Sequence, residues 1–327
     1  MDTGTHLVFG LGLGGLAMLD PAFSSRPDVM AVVLVATVAG SNAPDLDTLL
    51  RLRSNTLYIK HHRGWSHSIP AWFAWTGLIT SALLVLNPSL PWRHLAFWVL
   101  LSVVVHVLTD LFNSFGAQAL LPFSRKWVKW NVIHIFDPFI FSSHILAVFM
   151  WAAKIAEPRV IFPVLYGLLV LYYAWRTLVH ARAERKVPEA DPHRQPGDRY
   201  TVLPTMAPYR WNVIRSSEGG RYGVGEWERG RLRWEDAPAC DDHPAADVSK
   251  RLPDIQAFLA RTPFPCAKVK PHSWGYEVRW QDIRYRYRRQ YPFVAVVLMD
   301  FSFAPLQSYV GWLSDDRLEK RLRINTY

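Results

Sequence analysis

Residues 94–112 read HLAFWVLLSVVVHVLTDLF, with no Lys, Arg, Asp or Glu before Asp110. That is the length of apolar chain a helix needs to cross the roughly 30 Å hydrocarbon core of a bilayer. The stretch also carries His106 and Asp110, four residues apart, and Asn113 follows three residues later. The spacing puts all three on one helical face. A central Asp in a span costs about 2.5–3.5 kcal/mol on insertion scales, so such residues mark a functional interior rather than lipid contact. One stretch therefore predicts both a membrane helix and part of a site.

Working outward, further apolar segments lie at residues 6–19, 29–43, 69–86, 138–156 and 160–179. The expected fold is an all-α membrane helix bundle of five or six membrane helices over residues 1–187, followed by a small soluble α+β domain over 188–327. The first two segments are short for full crossings. Gly10 and Gly14 in the first have the GxxxG spacing that lets helices approach closely, although small residues are common in membrane helices anyway. No basic residue precedes this segment and Asp2 does, so it reads as a retained helix and not a secretory signal. Residues 188–199, rich in Pro and charge, read as a linker. Beyond it, runs at 209–214, 274–280 and 291–299 predict strands, and 248–260 and 314–323 predict helices.

The net charge of +10 divides evenly between the two halves. It suits a protein against an anionic leaflet, and no nucleic acid is expected. Arg51, Arg53, Lys60, Arg63, Arg125, Lys126, Lys129, Arg182, Arg185 and Lys186 fall on connections that a six-crossing topology places on one side. The positive-inside rule assigns that side, with the C-terminal domain, to the cytoplasm of a multi-pass inner-membrane protein. Cys240 and Cys266 form no CxxC and no disulfide framework, and are read as reduced or incidental.

The ionisable residues near helix ends then converge. His6 starts the first helix, Asp45 and Asp47 end the second, and His61, His62 and His67 precede the third. His106 and Asp110 end the fourth and Asp137 starts the fifth. An up-down bundle places all of them at one membrane face. Histidines with carboxylates suit zinc, with iron or manganese as alternatives, and the lack of a Cys ligand argues against a closed structural zinc site. Such a set with an open position activates water and polarises phosphoryl or carbonyl oxygens. Singly, each has a plainer reading: a lone His packs in a core, the Asp45–Asp47 pair stops a helix, and the His loop contacts lipid. In the loop, Gly64 permits a tight backbone. Arg63 either clamps an anion in bidentate fashion or pairs with headgroups.

The opening Met-Asp-Thr-Gly-Thr-His, Pro44-Asp45-Leu46-Asp47, His62-Arg63-Gly64-Trp65-Ser66-His67-Ser68, His106-xxx-Asp110 with Asn113 and Gly116, and Pro122-Phe123-Ser124 resemble the YdjM/YfhP-like group of membrane-bound proteins classed as metal-dependent hydrolases. The resemblance covers about residues 1–180. The order His, Asp, His, His-xxx-Asp is also similar to the start of the ligand series in zinc-dependent phospholipase C and P1 nuclease. That similarity implies His6, Asp45, His67, His106 and Asp110 as metal ligands. The later His-xxx-Glu pair of those enzymes has no counterpart here, so one or two ions, zinc first, are expected instead of three. Asp47, His62, Arg63 and Asp137 are the candidate catalytic or supporting residues. The expected activity is cleavage of a phosphoester or ester in a lipid or amphiphilic substrate, with membrane lipid as the surroundings. The alternatives are a non-catalytic scaffold with a structural metal and a protein partner on the C-terminal domain, and an ion-relaying transporter. The latter is disfavoured because the polar residues crowd one face and avoid the midplane.

Overall fold

The computed structural model describes residues 1–286, 290–313 and 322. The chain forms two compact units. One comprises Met1–Asp47, Arg63–Arg182 and Leu203–Pro208; the other comprises Thr48–His62, Ala183–Val202 and Tyr209–Tyr327.

The helices in chain order are α1 (Thr3–Ala17), α2 (Pro21–Ser24), α3 (Met30–Asn42), α4 (Asn55–His61), α5 (Ile69–Leu86), α6 (Trp92–Leu111), α7 (Pro138–Ala152) and α8 (Pro158–Ala190). Among the described residues, four helices are long and apolar enough to cross a membrane: Pro27–Leu52, which joins α3 to the 3-10 turns on either side of it, and α5, α6 and α8. The helical fold stands with about four candidate spans in place of five or six. At 15 residues each, α1 and α7 reach only about 22 Å, short of the bilayer core.

Helix α1 is the centre of the first unit, with His6, Phe9, Leu13 and Ala17 all buried. It packs on α3, α6 and α7. A Cβ on Gly10 would lie 2.6 Å from the Val38 Cα, and one on Gly14 2.6 Å from the Leu34 side chain. The GxxxG spacing therefore lets α1 and α3 meet backbone to backbone. Met1, Phe9, Ile140 and Phe162 share one apolar cluster, and Ala17, Val33, Leu95 and Val99 share another.

The second unit holds two four-stranded antiparallel sheets. The first has the order β1 (Arg199–Pro204), β2 (Arg210–Ser217), β3 (Arg221–Glu228), β4 (Arg231–Asp236); the second has β5 (Pro265–His272), β6 (Gly275–Asp282), β7 (Phe293–Met299), β8 (Pro305–Trp312). All seven residues of β7 are buried. Alternate members supply two cores: Phe293, Ala295, Val297 and Met299 face one cluster, and Val294, Val296 and Leu298 another. A strand covered on both faces reads as a continuous apolar run. The first of these clusters also takes Ile59 of α4 and residues of α9 (Pro244–Ser249) and α10 (Pro253–Leu259). Thr56 at the start of α4 hydrogen-bonds Asp254. A segment drawn from between two candidate membrane helices is thus part of the core of the second unit.

Several sequence expectations change. The helix expected over 248–260 is two short helices, broken at Pro253, which seats in the first turn of α10. The linker expected from 188 is helical through Ala190, because Ala183 and Val187 are buried there. The following turn is tied down: Asp191 accepts hydrogen bonds from Tyr200, Arg215 and Trp234 at 2.6, 2.9 and 3.1 Å. Burial works to raise that carboxyl, but these donors outweigh it and hold it down at about 2. Cys240 and Cys266, expected unpaired, form a disulfide. The 240–241 segment runs beside β5, with Asp241 N–H donating to the Ala267 carbonyl at 2.9 Å, and that brings together thiols 26 residues apart. The helix expected over 314–323 lies outside the described residues, Leu322 excepted.

Candidate metal centre

Four side chains from three elements converge in the first unit. Asp45 lies in the 3-10 turns Ala43–Leu52 that continue α3, His67 ends the turn Trp65–His67 before α5, and His106 and Asp110 occupy the last turns of α6. Each offers one ligand atom, and these atoms all lie within 4.8 Å of one another. The Nε2 atoms of His67 and His106 are 3.2 Å apart. His67 Nε2 is 3.3 Å from Asp110 Oδ2 and 3.5 Å from Asp45 Oδ1; His106 Nε2 is 3.6 and 3.7 Å from the same two oxygens. A tetrahedral ion with bonds of about 2.0–2.2 Å sets its ligands about 3.3–3.6 Å apart.

The proton positions make the fit chemical as well as geometric. His106 Nδ1 lies 2.6 Å from the Ser41 carbonyl. A carbonyl only accepts, so Nδ1 carries a hydrogen, and in the neutral ring Nε2 presents a lone pair. Ser66 Oγ donates to Asp47 Oδ2 and therefore accepts from His67 Nδ1 at 2.9 Å. His67 Nε2 is then a lone pair as well. Burial pushes the His67 imidazole down to about 3, which keeps it neutral. Asp45 Oδ1 is buried with no hydrogen-bond partner. In these tautomers two imidazole nitrogens and two carboxylate oxygens turn toward one another, a donor set that suits a divalent cation.

Asp110 is oriented by its other oxygen. Oδ1 accepts from Arg63 Nη2 at 3.0 Å and from Asn113 Nδ2 at 3.2 Å, and the Met1 amino group lies against it. That leaves Oδ2 for the cluster. Donors to the far side of a ligand are what fix a metal site's first layer.

The remaining candidates fall as follows. His6 stacks on His106 with ring centroids 3.7 Å apart, and its Nε2 is 3.4 Å from Asp110 Oδ1; it flanks the four but is not grouped with them. Asp47 accepts from the Arg63 backbone N–H at 3.0 Å and from Ser66. The Arg63 guanidinium is buried against Asp110, Asn113 and the Met1 carbonyl. The left-handed residue of the loop is Arg63 itself, at φ 61°, and not Gly64. His62 belongs to the other unit, where its ring stacks on Tyr58. Asp137 caps α7 through the Phe139 and Ile140 N–H groups and accepts from Tyr172 at 2.8 Å. Sequence reading gives no role to Ser66, whose one visible signal is adjacency to His67, or to Ser41, which acts through its carbonyl and so leaves no side-chain signature.

Comparison with known proteins gives two family matches: the YdjM inner membrane protein family over residues 1–183, and the YfhP C-terminal alpha/beta plait domain over residues 244–322. The chain is 40% identical over 330 residues to the uncharacterized protein YfhP of Bacillus subtilis (strain 168), covering 100% of both chains. No solved structure matches it.

Proposed function

Given that the chain belongs to the YdjM inner membrane protein family, and so has an inner-membrane location, we propose that it is a membrane-bound, metal-dependent hydrolase. In this reading Asp45, His67, His106 and Asp110 hold one divalent cation, zinc first. What supports it most is the convergence of two imidazole nitrogens and two carboxylate oxygens within 4.8 Å of one another, with the far nitrogen of each ring engaged by Ser41 or Ser66. The cation supplies Lewis-acid polarisation of a phosphoryl or carbonyl oxygen and lowers the pKa of water. The protein's own residues orient the ligands and offset charge: Arg63 neutralises the remote oxygen of Asp110, and Ser41 and Ser66 fix the two rings. His6, stacked on His106, is the candidate for a second ion or for proton transfer.

The substrate class is a phosphoester or ester of a lipid or other amphiphile, because the ligands lie at helix ends, where headgroups sit. The basic connections favour the cytoplasmic face for the site and the C-terminal domain. The Cys240–Cys266 bond weighs the other way, since disulfides persist on oxidising sides. Labelling of the reduced cysteines with an impermeant maleimide, in intact against opened cells, decides between the two sides.

One observation favours the scaffold reading. The two histidine nitrogens lie 3.2–3.7 Å from each other and from the two carboxylate oxygens, near tetrahedral spacing, and the side chains of His67, His106 and Asp110 are fully buried, as in a closed structural site. Metal analysis of purified protein, followed by a panel of phospholipids and phosphodiesters, tests both readings. The hydrolase predicts metal-dependent turnover that Asp110→Asn removes. Bound metal with no turnover and no inhibition by small anions leaves the scaffold.

A further inference from the structure

We propose that Asp47 and Ser66 are positioning residues that hold His67 as its Nδ1–H tautomer and so aim Nε2 at the cation. The inference rests on the metal reading above and assigns work to residues that touch no reacting atom.

Ser66 has one hydroxyl hydrogen. Asp47 Oδ2 accepts it, so the Ser66 oxygen is available to His67 only as an acceptor, at 2.9 Å from Nδ1. Replacing the hydroxymethyl side chain by a methyl group removes the bias between the two neutral tautomers, one of which would aim an N–H into the cluster. A proton on Nε2 cannot coexist with a metal bond there. Asp47 adds a second restraint. Its Oδ2 also takes the Arg63 N–H at 3.0 Å, at the left-handed residue where the turn begins. One carboxylate thereby ties both ends of the 63–67 turn: the end that bears the ligand, and the end whose guanidinium holds Asp110.

The turn has independent anchors, which makes the role testable. Trp75 Nε1 donates to the Ser66 carbonyl at 3.1 Å and Trp72 Nε1 to the His67 carbonyl at 2.9 Å, both from α5. Gln118 N–H donates to the Arg63 carbonyl at 2.9 Å. With these in place, Ser66→Ala deletes the tautomer restraint and leaves the backbone held.

The experiment uses Co²⁺ titration of the full-length protein in detergent, read by visible absorption. It is paired with histidine ring ¹⁵N shifts of the metal-free protein, which report the tautomer directly. Ser66→Ala should weaken Co²⁺ binding about 10–100-fold with unchanged stoichiometry and an altered absorption envelope, and its His67 ring should become a tautomer mixture. Ser66→Thr, which keeps the hydroxyl, should stay within about threefold of wild type. Asp47→Asn should weaken binding while keeping the ion count. Wild-type affinity and an unmixed tautomer in Ser66→Ala overturn the proposal and leave the metal reading intact. Loss of one ion per chain in Asp47→Asn overturns it by making Asp47 a ligand. A wild-type protein that takes up no Co²⁺ overturns both.

Discussion

Asp45→Asn should stabilise the metal-free protein and abolish its response to metal, so that the melting curves of variant and wild type change order when zinc is added. Carboxylate oxygens of Asp45 and Asp110 lie within 4.8 Å of each other. Two unit charges at that distance repel by about 3.5 kcal/mol at an effective dielectric of about 20. Arg63, 3.0 Å from Asp110, offsets part of this, and the 12% exposure of the Asp45 side chain admits some screening. About 1–3 kcal/mol of repulsion therefore remains without a cation, and an isosteric amide removes it. At roughly 2–4 °C per kcal/mol for a unit of this size, the variant should melt several degrees higher in chelator. Zinc at about 100 times its dissociation constant should add about 2.7 kcal/mol to the wild type and little to the variant. The assay is tryptophan-fluorescence melting at one fixed scan rate, in one detergent, with chelator or with zinc. The reasoning fails if Asp45→Asn is less stable than wild type in chelator. That outcome means Asp45 is held by a protonated histidine and the cluster is an imidazolium network with no need of metal.

Three further outcomes follow from other parts of the chain. Gly10→Ala should destabilise the membrane unit by about 1–3 kcal/mol, because the new methyl meets the Val38 backbone at 2.6 Å, whereas Gly77→Ala, with nothing within 4 Å, should be neutral. Thermal melts of the pair check this. Ile59→Ala should cost about 2–5 kcal/mol through the second unit's core that its side chain enters, read as faster limited proteolysis of the C-terminal half. Asp191→Asn should cost stability at neutral pH. The Asp191 carboxyl is held below its unfolded value, so its contribution is full above about pH 4 and is lost as pH falls through about 2. The stability gap between variant and wild type, measured across that window, should close on the acid side.

Much of this was legible in the sequence because periodicity and spacing report on single elements. The 94–112 run gave a helix and placed His106 and Asp110 on one face, and helix-end topology was enough to bring Asp45 and His67 to them. The strands at 209–214, 274–280 and 291–299 were visible as β-branched and aromatic runs. What escaped depends on which partner an element finds. The apolar length of α1 was visible, but an apolar segment buried in a bundle and one facing lipid have the same composition. Asp137 belongs with the other acids by position in the chain, yet its carboxylate is used to cap α7. The pairing of Cys240 with Cys266 depends on the course of residue 240 beside β5, which no local pattern encodes.

The segment 48–62 shows how the site can stay rigid although the chain leaves the membrane unit in the middle of it. The excursion begins after Asp47 and ends before Arg63, and these two residues are joined by the hydrogen bond from the Arg63 N–H to the Asp47 carboxylate. A motion of α4 therefore meets that bond before it reaches His67, while Asp45 lies on the membrane-unit side of the same clamp. A flexible Gly-Ser insertion between Arg53 and Ser54, ahead of the Ser54 cap of α4, should then leave Co²⁺ affinity within about threefold of wild type, because a longer loop adds well under 1 kcal/mol of closure entropy. The same insertion in an Asp47→Asn background should weaken binding more than the sum of the two changes. Additive effects would show that the clamp does not isolate the ligands and that the docking of α4 itself sets their spacing.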